Sequence, residues 1–154
     1  MKKLLDKLEK EGKLSKQKAG SIQIEEMLKA AISDLEEAKK VCEVSDKATY
    51  LMAYNAMLKA GRALLLLHGL RPDDGAQHKT VVDATGAILG HKYKKLIAQF
   101  ETMRRKRNEF TYGGFSASSS AEAETAFADA IELVREILKE GKKRDPQMRL
   151  DLKI

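Results

Sequence analysis

Apolar residues recur at three- and four-residue intervals along most of this chain, the spacing with which an α-helix buries one stripe. Residues 2–10 (KKLLDKLEK) predict a short amphipathic helix, interrupted at Glu11-Gly12-Lys13. Ile24, Met27, Leu28, Ala31, Ile32, Leu35, Ala38 and Val41 form a second stripe, with Ser21 placed to cap its helix. Ser45-Asp46 restarts the pattern, and Tyr50, Leu51, Tyr54, Met57, Leu58, Gly61, Leu64, Leu65 and His68 follow one face. Gly61 inside that stripe predicts close approach of another helix, and Gly69 predicts a stop. Residues 71–75 (RPDDG) carry loop chemistry. A weaker helix is predicted over 80–89, closed by Gly90. A long one over 91–112 turns Tyr93, Leu96, Ile97, Phe100 and Met103 inward and ends at Gly113-Gly114. Ser119 and Glu122 make a capping box for a last helix running to about Glu140. No period-two strand pattern and no internal repeat is visible. Short connections between successive helices predict antiparallel neighbours, hence an all-α, four- to five-helix up-and-down bundle.

The 154 residues suit one domain, divided into an N-terminal helical arm (1–20), the bundle (21–140) and a basic, flexible tail (141–154). The single cysteine, Cys42, excludes an intrachain disulfide and reads as a small residue at or near the core. Charges interrupt every apolar run near the start, which argues against a signal peptide. The longest pure apolar run, 63–67, is far short of the ~20 residues of a membrane span, so a cytoplasmic protein without membrane contact is expected. Net charge alters the picture more. Between residues 91 and 107, seven lysines and arginines less Glu101 leave +6, which is the net charge of the whole chain. One helix therefore carries the entire basic excess, a footprint for an anionic partner or simply a solvated face.

Common catalytic signatures are missing: no glycine-rich phosphate loop, no Cys-x-x-Cys, no His-Glu-x-x-His. The histidines, His68, His78 and His91, do not pair at metal-ligand spacing, so neither a metal nor a cofactor is expected. The end of the basic helix stands out. Arg104, Asn108 and Tyr112 recur at four-residue steps in one row, and Arg107 and Thr111 form the next. Guanidinium groups present planar forks that match phosphate oxygens, so Arg104, Arg105, Lys106 and Thr111 are candidate anion-binding residues around Arg107. The alternative is that Arg107 and Asn108 tie neighbouring helix ends together while Tyr112 packs.

Three segments carry a family resemblance: residues 53–65 leading to His68-Gly69-Leu70-Arg71-Pro72, residues 75–82 (GAQHKTVV), and Arg104-Arg105-Lys106-Arg107-Asn108-Glu109-Phe110-Thr111-Tyr112-Gly113. Together they resemble the HEPN domain (higher eukaryotes and prokaryotes nucleotide-binding). The resemblance implies an antiparallel helical bundle, often a homodimer, in which an Arg followed by four to six residues and a His forms a metal-independent RNA-cleaving site at the dimer interface. It also implies, for some members, a toxin role beside a nucleotidyltransferase-type antitoxin. Carried over, Arg107 matches the motif Arg and Asn108 the polar residue after it, and Tyr112 stands where His is expected. A phenol with a pKa of about 10 exchanges protons poorly near neutrality. The expected function is therefore binding of RNA, nucleotide or a protein partner, with weak or no catalysis. The alternatives are a working endoribonuclease using Arg107, Asn108 and Tyr112, and a purely structural interaction bundle. Nothing in the spacing brings His78 or His91 to Tyr112, and His78 reads equally as a loop or cap residue.

Overall fold

A computed structural model describes residues 1–73, 77–112 and 118–154. Six α-helices follow in order: α1 (Lys2–Lys10), α2 (Ser21–Val41), α3 (Asp46–Leu67), α4 (Gln77–Leu89), α5 (Lys94–Tyr112) and α6 (Ser120–Arg144). The all-α bundle expected from the periodicity is what forms. α3 is its centre, packed against α2, α6, α4 and α5. That position explains its composition. Beyond the predicted stripe, Ala53, Ala56, Ala60, Ala63 and Leu66 are buried too, so the helix is apolar nearly all round.

Where α3 meets α4, Gly61 has no room for a side chain. A Cβ there would lie 2.7 Å from Val81 Cγ1 and 2.9 Å from Thr85 Oγ1. The predicted close approach is thus between these two helices, and it fixes the height at which the first turn of α4 stands beside α3.

Helix ends follow local chemistry with a few differences. Ser45 caps α3 by accepting from Ala48 N–H at 3.1 Å, and Ser119 with Glu122 closes the capping box of α6. Ser21 does not cap α2. It is the first helical residue, and Gly20 occupies the cap position without a side-chain bond. The predicted helix over 91–112 opens as a 3₁₀ turn (His91–Tyr93) after Gly90, whose φ of 91° suits glycine, and becomes α-helical at Lys94. Its predicted stop at Gly113-Gly114 lies outside the described residues, as do residues 74–76 of the 71–75 loop. Cys42, expected near the core, is exposed where α2 ends.

Two short strands escaped the periodicity. β1 (Leu14–Lys16) and β2 (Leu70–Pro72) pair antiparallel with Ser15 opposite Arg71. Three residues are too few to display a two-residue alternation. The ribbon and α1 lie on the bundle. Leu5, Leu8 and Leu14 are buried with Leu65, Leu70 and Ala84, so residues 1–20 are docked. The tail is docked as well: α6 continues four residues past Glu140, Met148 is buried, and Leu150, Leu152 and Ile154 pack on the main core. Those apolar contacts lay the tail, read from the sequence as flexible, along the bundle. Among the described residues, no helix is long and apolar enough to cross a membrane.

Candidate functional site

Three helices deliver polar side chains to one region. α3 carries Tyr54 and Arg62, about two turns apart on the side toward α4. The first turn of α4 carries Gln77, His78 and Lys79. α5 carries Glu101, Arg104 and Arg107 at three-residue spacing, so each lies beside the next along the helix, while Phe100, Met103 and Phe110 face the core.

Specific contacts tie these sets together. Tyr54 Oη lies 2.9 Å from His78 Nδ1, and its ring packs against Phe100 with centroids 6.0 Å apart. Arg62 Nη2 donates to Gln77 Oε1 at 3.5 Å. Lys79 Nζ lies 3.4 Å from Glu101 Oε2, and Glu101 also accepts from Arg104 Nε at 2.5 Å and Nη2 at 3.3 Å. The start of α4 is thereby held to α3 by a phenol–imidazole pair and to α5 by a lysine–glutamate–arginine chain.

The charges at this junction are unbalanced. Arg104 has Glu101, but Arg62 and Arg107 have no carboxylate partner among the described residues. Burial lowers the His78 pKa below its ordinary value, and the fields of Arg107, Arg62 and Arg104 push it in the same direction. Burial raises the Tyr54 phenol to about 12 against the opposing pull of the same three arginines. Glu101 is held below the usual carboxylate range: burial opposes ionisation, and hydrogen bonds and charge from Arg104 and Lys79 overcome it. Near neutral pH the junction therefore presents three guanidinium groups, a neutral imidazole and a protonated phenol, with Glu101 bound to Arg104 and Lys79. Such a set can hold an anion through paired N–H donors.

The residues singled out in the sequence do not form one patch. Arg107 Nη1 donates to Asn108 Oδ1 at 3.4 Å, and its charge acts on His78. Arg104 is largely covered and bound to Glu101. Arg105 is exposed, 3.8 Å from Glu101. Thr111 Oγ1 donates back to the Arg107 carbonyl at 3.0 Å, a bond within the helix. Lys106 points elsewhere. Its Nζ bonds Glu122 Oε2 at 2.7 Å and lies over the rings of Tyr50 and Phe110, so it joins α5 to α6. Tyr112 is 79% exposed at the end of α5. Five residues along a helix rotate it about 140° from Arg107, which is why the two diverge.

Sequence reasoning missed Tyr54, Arg62 and His78 as members of this region. Tyr54 sits in an apolar stripe and reads as a core aromatic. His78 stands at a loop–helix junction, three and four residues before the apolar Val81 and Val82. Both lie in the first two of the three segments quoted above, so order along the chain held the signal without its geometry.

No curated protein and no solved structure matches this chain. The model of one family, described as the HEPN domain, matches residues 24–143, well over half of the chain and all of α3, α4 and α5. By that match, together with the helical bundle, the chain belongs to the HEPN domain family.

Proposed function

We propose that this HEPN domain is a phosphate-recognising module that engages RNA or a nucleotide at the junction of α3, α4 and α5. The observation carrying this reading is the tie of the first turn of α4 to arginine-bearing faces of α3 and α5, through Arg62–Gln77 and the Lys79–Glu101–Arg104 chain, while Arg62 and Arg107 have no carboxylate partner among the described residues. A phosphate would take the place of the missing negative charge. Asn108 and the exposed Arg105 extend the same end of α5 and would contact neighbouring nucleotides. A homodimer placing two such helix ends side by side would double the charge along one strand, and a nucleotidyltransferase-type antitoxin would be a partner of the resulting assembly. Binding measured at rising salt tests the reading. Short RNA should bind with an affinity that falls steeply with salt, and Arg107→Ala and Arg104→Ala should each weaken binding and flatten the salt slope by about one. RNA binding unchanged in both folded variants would refute it. Capture of a protein with no affinity for RNA would favour the interaction bundle instead.

The second reading, a metal-independent endoribonuclease, is favoured by one fact. Burial and the positive charge of Arg107, Arg62 and Arg104 hold the His78 imidazole neutral, while Tyr112 is exposed at the end of α5. Neutral histidine accepts a proton from a 2′-hydroxyl far better than tyrosine does. Incubation of mixed RNA in EDTA separates the two readings. Cleavage by the wild type that is lost in Arg107→Ala supports the enzyme, and intact RNA with salt-dependent binding supports the module.

A further inference from the structure

The His78 ring is held by one edge. Its Nδ1 is engaged by Tyr54 Oη at 2.9 Å, and Tyr54 is fully buried, so the ring cannot turn away without orphaning a buried hydroxyl. Nε2 has no partner among the described residues and is the nitrogen left for a ligand. Charged groups from three helices bear on the start of α4: Arg62 of α3, Arg104 and Arg107 of α5 act on the ring by charge, Arg62 also bonds the adjacent Gln77, and Lys79 and Asp83 of α4 join Glu101 of α5. Lys79, Asp83, Glu101 and Arg104 are bound to one another. Arg62 and Arg107 remain, both positive and both disfavouring a charged imidazole.

We propose that His78 is a proton-linked ligand of the phosphate bound at this junction: Nε2 contacts a phosphate oxygen, and the ring takes up a proton from solvent as the anion enters. This rests on the phosphate reading above and adds a property to it. An anion seated between the arginines cancels the field that keeps the ring neutral and supplies an acceptor for an Nε2–H bond. The imidazolium then donates from both edges, Nε2–H to the phosphate and Nδ1–H to Tyr54 Oη. The buried phenol stays protonated and keeps lone pairs to accept that bond. The proton comes from bulk solvent, no covalent bond changes, and linkage requires binding to tighten as pH falls.

The probe is a hexauridylate without terminal phosphates, whose diester charges do not change between about pH 5.5 and 7.5, the interval in which histidine titrates. Calorimetry in two buffers of different ionisation heat counts protons taken up on binding. NMR of the His78 Cε1–H reports the ring directly, with and without oligonucleotide. The expected result is proton uptake near neutrality, an upward move of the His78 titration on binding, and about tenfold weaker binding for each linked pKa unit as pH rises. His78→Gln should bind with little pH dependence and no uptake, Tyr54→Phe should reduce uptake, and His68→Gln should behave as wild type. Binding without uptake, a His78 titration that oligonucleotide leaves unmoved, or undiminished uptake in His78→Gln would overturn the inference and leave phosphate recognition standing. Absence of binding by folded protein to the hexauridylate, to its thymidylate counterpart and to uridine monophosphate would overturn both. Binding of the monophosphate but of neither oligomer would overturn the linked site for diesters and assign the junction to nucleotides.

Discussion

Tyr54 does two things at once: it fills the core beside Phe100 and it fixes the edge of His78. Both depend on the phenol remaining protonated. Burial pushes Tyr54 up to about 12, and it pushes Tyr50, which meets Phe110 edge-on, to the same region with help from Glu122 and Glu109. A phenol whose folded pKa exceeds the unfolded value of 10.0 contributes stability that is fully present below pH 10 and is lost as pH rises toward about 12. Absorbance titration of the native protein should therefore show at least two of the four tyrosines ionising only near pH 12, with unfolding midpoints that fall above pH 10. Ionisation of all four tyrosines near pH 10 in folded protein would contradict the buried placement. At this scale Arg107 drew notice through the family resemblance, since residue type and spacing alone fit a tie between helix ends as well as a phosphate contact. The opposite roles of Lys106 and Arg107 were not legible, because adjacent residues on a helix point about 100° apart and only the neighbouring helices decide what each one meets.

Helix boundaries came largely from caps and glycines, which act over a few residues and so show in the sequence. Gly61 is the exception that acts across elements. In a helix interior, alanine ordinarily exceeds glycine in stability by about 0.5–1 kcal/mol. Here the added Cβ would overlap the short, stiff side chains of Val81 and Thr85, both fully buried, and such overpacking costs about 1–3 kcal/mol. Gly61→Ala should accordingly lower the denaturant midpoint and weaken the proposed phosphate binding by lifting α4 from α3. Gly141→Ala supplies the contrast. Its new Cβ would meet Met148 Cε, the far end of a flexible side chain that can swing aside, so stability should hold or rise slightly. An unchanged midpoint in Gly61→Ala would mean that α3 and α4 have slack between them.

Over the whole molecule, the arm and tail are parts of one packed body. Leu8 is buried in the small cluster that joins α1, β1 and β2 to α3 and α4. Leu8→Ala should lower global stability by about 2–4 kcal/mol and speed amide exchange along β2 as well as α1. Loss confined to α1 would show instead that the arm folds independently. Because β2 leads directly toward the first turn of α4, a loosened ribbon should also slacken the seat of His78. The periodicity of apolar residues by itself determined the helices, their amphipathic faces and the all-α bundle, since a helix needs only local hydrogen bonds and one buried stripe. The basic excess on one helix and the Arg107-Asn108 pair were likewise open to reading. Only the tertiary structure decided that the ribbon closes the arm on the bundle, that Met148 and the residues beyond it cover the core, and that His78 meets Tyr54 and the arginines. Those contacts join residues far apart in the chain, and no local pattern records which helices will pack or at what height they meet. The candidate site lies at that packing junction, so its arginine was visible in the sequence and its histidine was not.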